Sequence, residues 1–277
     1  MDNVIALIGK RVSTRTYLKR SVEPDKKEAL AAFLDAAGDN PFGAQVRFAI
    51  LESDSAPRKL GTYGFIKGAQ TFMAACVKTG GRDIEGFGFA FERAILFATQ
   101  LGLCTCWLGG TLSRGAFAKA MGLSSEILPA VSPVGYAAQH RSLTERFVAR
   151  SAGARKRLPF ETLFFDGGFD TPLSPDDERI RTCFEMVRIA PSASNKQPWR
   201  VVRMDGAYHF YMAKTRAYPG NSAFGFCMQR IDMGIAACHF SLSAQELGLQ
   251  GGIVFDDPGL LSADQTRAGL EYSFTWR

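Results

Sequence analysis

The longest apolar stretch of the chain, EGFGFAFERAILFATQLGL at residues 85–103, has a counterpart in RIDMGIAACHFSLSAQELGL at residues 230–249. Aligned on Gly102 and Gly248, which lie 146 residues apart, Gly88 falls on Gly234, Ala90 on Ala236 and Ala98 on Ala244. Both stretches close on Leu-Gly-Leu, and Gly is the residue expected just past a helix end. A helix that is apolar almost all round is a buried one. Each stretch therefore predicts the central helix of one half of the protein. Ahead of them, EPDKKEALAAFLDAAGDNP (23–41) and SPDDERIRTCFEMVRIAP (174–191) also match. Each predicts a helix with a proline in its first turn, acids near its start, one apolar stripe and a closing proline. Strands are predicted at VRFAILES (46–53), WRVVRM (199–204) and AYHFYMA (207–213), with VSPVGYA (131–137) and LEYSFTWR (270–277) as late strands of the two halves. The pattern is two copies of one α+β unit. The Gly- and Asp-rich run FDGGFDTP (165–172) sets the expected division, residues 1–165 and 166–277.

Composition narrows the class. Of the 277 residues, 46% are apolar and 22% charged, as in a globular protein with an ample core. No apolar run reaches eighteen residues, so no membrane-spanning helix is expected. The first residues, MDNVIALIGKR, lack the order of a signal peptide, which predicts a cytoplasmic protein. Six cysteines include one C-x-C (Cys104, Cys106), and three histidines are scattered, a set that predicts reduced thiols and no metal site. The net charge of +6 gathers at residues 10–20 and 141–157 without interleaved aromatics. That distribution argues for a small anionic ligand over nucleic acid, with part of the excess on a solvated face.

Four segments carry candidate chemistry. In KRVSTRTY (10–17), Arg11, Ser13 and Arg15 alternate around Val12 and point to one side if the backbone is extended. Two guanidiniums flanking a hydroxyl suit a phosphate, while the bland reading is a solvated basic segment. In APSASNKQPWR (190–200), prolines stiffen a loop that offers Ser192, Ser194, Asn195 and Gln197. A mere capped turn needs one such residue, not four. In LGLCTCWLGGTLS (101–113), a short strand precedes Gly109 and Gly110, which allow close backbone approach; a plain turn is the alternative. It is not a G-x-G-x-x-G of the dinucleotide type. In ARKRLPFETLFF (154–165), Arg155, Lys156 and Arg157 form a second basic knot, or an exposed charge run.

Together these segments resemble the FMN-dependent nitroreductase family, specifically its tandem-fused members with two nitroreductase-like halves in one chain. The resemblance implies an α+β nitroreductase fold whose halves form an intrachain pseudo-dimer. It assigns the FMN phosphate and flavin edge to Arg11, Val12, Ser13 and Arg15. It assigns the ribityl chain and ring to Pro191, Ser192, Ala193, Ser194, Asn195 and Gln197, ahead of Pro198 and Trp199. Trp107, Leu108, Gly109 and Gly110 would lie near flavin N5, with Cys104 standing where the family has glycine. Lys156 and Arg157 would meet the phosphate, and GTYGFIKGA (61–69) adds Tyr63 and Gly64. The implied activity is oxidation of NAD(P)H and ping-pong reduction of nitro compounds, quinones or similar small-molecule acceptors. No dedicated acid or base is implied. Arg15 would stabilise charge at the N1/O2 edge. By their position ahead of the second central helix, Tyr218, Phe224 and Phe226 either line the substrate pocket or, as aromatics there more often do, belong to the core. The first half offers only NPFGAQ (40–45) where a second site would need P-S-x-x-N, and the second half lacks R-x-S-x-R. One FMN per chain is expected, in a chain able to act as a monomer. A flavin carrier or sensor without turnover, or a flavoenzyme of this fold with another reaction, are the other readings.

Overall fold

The computed structural model describes residues 1–53, 60–139, 156–216, 218 and 225–277. Two compact units divide the chain: Lys10–Ala154 with Met1, and Asp2–Gly9 with Arg155–Arg277. The first unit runs α2 (Pro24–Ala37), β1 (Arg47–Glu52), β2 (Thr71–Cys76), α3 (Asp83–Gln100), β3 (Cys104–Thr105), α4 (Arg114–Ala120) and β4 (Val131–Gly135). The second opens with α1 (Val4–Lys10, less its last residue) and β5 (Phe164–Asp166). It then repeats the series as α5 (Glu178–Arg188), β6 (Trp199–Met204), β7 (Ala207–Ala213), α6 (Met228–Glu246), β8 (Ile253–Val254), α7 (Ala263–Ala268) and β9 (Leu270–Trp276). The sheets agree as well. The first has order β1-β2-β4-β3, and the second β5-β6-β7-β9-β8, the same order with β5 added at its edge. Neighbours are antiparallel throughout, except that β5 runs parallel to β6.

The central helices end alike. Gly102 (φ 75°) and Gly248 (φ 70°) take the left-handed conformation. Leu103 N donates to Ala98 O and Gly102 N to Thr99 O; Leu249 N donates to Ala244 O and Gly248 N to Gln245 O. These paired bonds satisfy carbonyls that a helix end leaves open. Both helices are buried along most of their length, as their apolar composition predicts. In the first unit, Phe97 of α3 stacks on Phe33 of α2 at 4.1 Å and Phe91 on Phe48 of β1 at 6.0 Å. In the second, Phe240 of α6 meets Phe184 of α5 and Phe210 of β7, each at 5.4 Å. Each central helix is thus wedged between an amphipathic helix and a sheet.

Within these units FDGGFDTP lies inside the second one. Its first residues form β5, which pairs with β6, and Asp166 N donates to Thr171 O across a turn. The first helix belongs to the second unit, where Val4 and Ile8 are buried and Ile5 N donates to Glu246 Oε2. Pro175 precedes its helix: the N-cap is Asp177, whose carboxylate accepts from Arg179 N, whereas Pro24 does open α2.

Candidate functional site

The basic segment of the first unit is extended, as its alternation requires. Ser13 bridges Thr105 of β3 in parallel, and Thr14 N donates to Thr105 O at 2.9 Å. Lys67 N donates to Arg15 O, and Tyr17 N to Lys67 O. Ser113 N donates to Gly61 O, and Thr62 supplies both acceptors for the turn at Tyr63 and Gly64, its O for Phe65 N and its Oγ1 for Ile66 N. Backbone pairing therefore gathers three predicted segments around β3: residues 11–15, 63–64 and 107–110. Tyr63 is 71% exposed and left-handed at φ 48°. An exposed aromatic held in that conformation costs on the order of 1 kcal/mol, a strain common at ligand sites. Val12 is exposed too, and Ser13 and Arg15 are half-buried.

Glu92, on α3, organises the inner wall. It is wholly buried; its Oε2 accepts from Trp107 Nε1 at 2.7 Å, and its Oε1 lies 3.9 Å from Arg11 Nε. The Trp107 ring packs on Phe91 at 4.7 Å. The Arg11 side chain is only 8% exposed, and its Nη1 is buried with no hydrogen-bond partner among the described residues. Leaving such a donor unmet costs about 1–3 kcal/mol, more for a charged group. A bound anion would remove that cost. Next along the chain, Arg114 donates to the carbonyls of Gly109, Leu128 and Pro129. Burial alone pushes its pKa down.

The loop of the second unit is rigid because it is fastened at both ends. Ser194 (φ 50°), Asn195 (φ 54°) and Gln197 (φ 48°) are left-handed, although none is glycine. Ser192 Oγ accepts from Gln197 N, and Asp232 Oδ1 on α6 accepts from Ala193 N, both at 2.9 Å. Asn195 Nδ2 donates to Lys156 O, and its Oδ1 accepts from Arg157 Nη1. Gln197, 4% exposed, accepts from Leu158 N and donates to the carbonyls of Lys156 and Asn195. Arg157 also donates to Ile189 O beside the end of α5. The amides of Asn195 and Gln197 thus tie the loop to the segment at 156–158, and Arg157 clamps the loop. The exposed side chains are Ser194, whose Oγ meets Tyr218 OH at 3.1 Å, Lys196 and Lys156. Pro191 is half-buried and Phe226 likewise; Phe224 and Arg155 lie outside the described residues.

Asp232 is enclosed on all sides, and that burial raises its carboxyl well above the usual carboxylate range. Its Oδ2 has no partner among the described residues. At the offset of 146, Asp232 corresponds to Gly86 of α3. A Cβ there would lie 2.4 Å from Ala44 Cβ and 2.6 Å from Asn40 Oδ1. Asn40 opens the NPFGAQ loop and closes it on itself: its Oδ1 accepts from Phe42 N and Ala44 N, and its Nδ2 donates to Gly38 O and Ala44 O. A cavity of about 490 Å³ beside this loop carries Asp35, Asp39 and Glu126 with Arg47 and Lys78 in its wall. Three carboxylates make it a poor phosphate receptor.

Sequence reasoning missed Glu92, Asp232 and Arg114. The first two carried a signal: each is an acid within a helix already read as buried, and a buried charge needs a partner.

The profile of the family described as "Putative TM nitroreductase" matches residues 3–244. A crystal structure of a putative nitroreductase from Thermotoga maritima superposes with a TM-score of 0.63 at 20% identity, covering 99% of this chain and 93% of that one. A nitroreductase with bound FMN from Bacteroides fragilis (TM-score 0.41, 20% identity) covers 52% of this chain and 92% of its own. A putative nitroreductase in complex with FMN from Desulfovibrio desulfuricans (TM-score 0.39, 22% identity) covers 53% and 95%. No curated protein sequence matches. Among the described residues, no helix is long and apolar enough to cross a membrane. With its profile match running through both repeats, the chain belongs to the putative TM nitroreductase family.

Proposed function

We propose that this protein is an FMN-dependent oxidoreductase that takes electrons from NAD(P)H and passes them to nitro compounds, quinones or similar electron-poor acceptors, with one FMN per chain. The observation that carries the reading is the buried, unpartnered Nη1 of Arg11, held beside Glu92 and Trp107 next to the glycine turn. It fits a group that brings an anionic oxygen and a planar ring. When bound, FMN would supply hydride chemistry between donor and acceptor.

The residues of this chain would bind and orient it. Arg11, with Ser13, would hold the phosphate or an anionic ring edge, and Glu92 keeps that guanidinium in place. Arg15 would place positive charge near the N1/O2 edge, where it favours the reduced cofactor. The Gly109–Gly110 turn would offer backbone N–H groups, and Tyr63 with Gly64 would cover an exposed edge. In the second unit, Asn195, Gln197, Lys156 and Arg157 keep the loop from Pro191 to Gln197 rigid, so that Ser194 and the backbone at Ser192 and Ala193 meet the cofactor. Solvent would supply protons, since no histidine belongs to these segments.

The test is an anaerobic mixture of FMN-loaded protein with NADPH or NADH, followed at the flavin absorbance band. Bleaching within seconds, reversed by a quinone, is expected. Flavin that stays oxidised would leave a carrier or sensor in its place.

A further inference from the structure

The turn between β3 and α4 leaves a run of backbone donors open. Leu108 N donates to Val131 O, and Ser113 N to Gly61 O. Between them, the N–H groups of Gly109, Gly110, Thr111 and Leu112 have no acceptor among the described residues. Successive unbonded N–H groups form a concavity that attracts electron-rich atoms. Such a turn is also soft, because two adjacent glycines leave the peptide between them free to rotate.

Arg114 removes that softness. Its Nη2 donates to Gly109 O, while its Nη1 donates to Leu128 O and Pro129 O, anchoring the guanidinium in the neighbouring segment. A peptide unit is planar and trans, so the Gly110 N–H points opposite to the Gly109 carbonyl. Drawing the carbonyl inward turns the N–H outward. Among the described residues, a Cβ on Gly110 would meet no atom within 4 Å, so the turn is open at that residue.

We propose that Arg114 is a positioning residue: by gripping the Gly109 carbonyl, it fixes the Gly110 N–H as an outward donor to an acceptor atom of the ligand over this turn. That the acceptor is a flavin ring nitrogen rests on the function proposed above. The orientation of the peptide does not.

The experiment uses the full chain with and without added FMN. Without FMN, the Gly110 amide of the wild type should give one sharp ¹H–¹⁵N resonance. In Arg114→Met it should broaden or split while the Trp107 indole resonance stays in place. Arg114→Lys keeps the charge with fewer donors and should fall between. With FMN, Arg114→Met should change the ratio of reduced to oxidised flavin affinity about tenfold, or ~30 mV for a two-electron couple. A Gly110 resonance identical in wild type, Lys and Met variants overturns the proposal. If Arg114→Met fails to fold, the wild-type and Lys spectra decide alone, and identical spectra overturn it. If the resonances respond but the wild type takes up no FMN, the positioning role stands and the flavin assignment falls.

Discussion

The two central helices occupy the same place in the two repeats and end in the same Leu-Gly-Leu cap, yet they carry different buried acids. On α3, Glu92, one of two buried acids with Glu85, holds Trp107 and sits beside Arg11; Cys238 takes its place on α6. On α6 the acid is Asp232, which holds Ala193 N; its place on α3 is taken by Gly86, packed against Asn40 and Ala44. Glu92 and Asp232 each brace a candidate flavin segment, and at each position the other helix carries no acid. The twin position has been given to packing. The two copies thus differ at these two positions, while the helix caps and the strand order agree.

Exchanging the residues of the two repeats is the sharpest way to break this comparison. Gly86→Asp should cost about 3 kcal/mol or more, since its side chain would collide with Ala44 and bury a carboxyl where Asn40 already meets the loop. A urea transition within ~0.5 kcal/mol of wild type would show that the two helix positions are not specialised. Glu92→Ala should cost about 3 kcal/mol by the same assay, because it strands the Trp107 N–H and a buried guanidinium. Arg11→Met should lower FMN affinity about hundredfold, read by quenching of FMN fluorescence. Unchanged affinity would remove Arg11 from the site.

The smallest effect is one of pH. The Asp232 carboxyl is raised in the folded protein by burial, so the folded state holds a proton that the unfolded chain releases near pH 4. Its contribution to stability is complete below that point and is lost as pH rises towards the folded value. Asp232→Asn keeps the acceptor for Ala193 N without a titrating proton. The wild type should therefore lose stability relative to Asp232→Asn as pH rises from 4.5 to 8. Parallel unfolding curves across that range would mean that Asp232 is ionised when folded.

Much of this arrangement was legible in the sequence. The repeat, both central helices and β6, β7 and β9 followed from periodicity and apolar runs. The strand β2, TFMAAC, did not, because all six residues are buried and no alternation marks it. FDGGFDTP reads as a boundary because its composition is that of a turn; its pairing with β6, some 35 residues on, is a non-local fact. Asn195 and Gln197 stood out as polar groups in a stiff loop. That their amides fasten the segment at 156–158 depends on contacts 38 to 41 residues away in the chain. Local chemistry found the segments, and tertiary partners determined what each side chain does in them.

One measurement bears most directly on the divergence of the repeats. Flavin-free chain is titrated with FMN, following quenching and counting equivalents. Saturation at one FMN per chain, with Arg11→Met binding far more weakly, is the result the account predicts. Two equivalent sites per chain, or none, would contradict it.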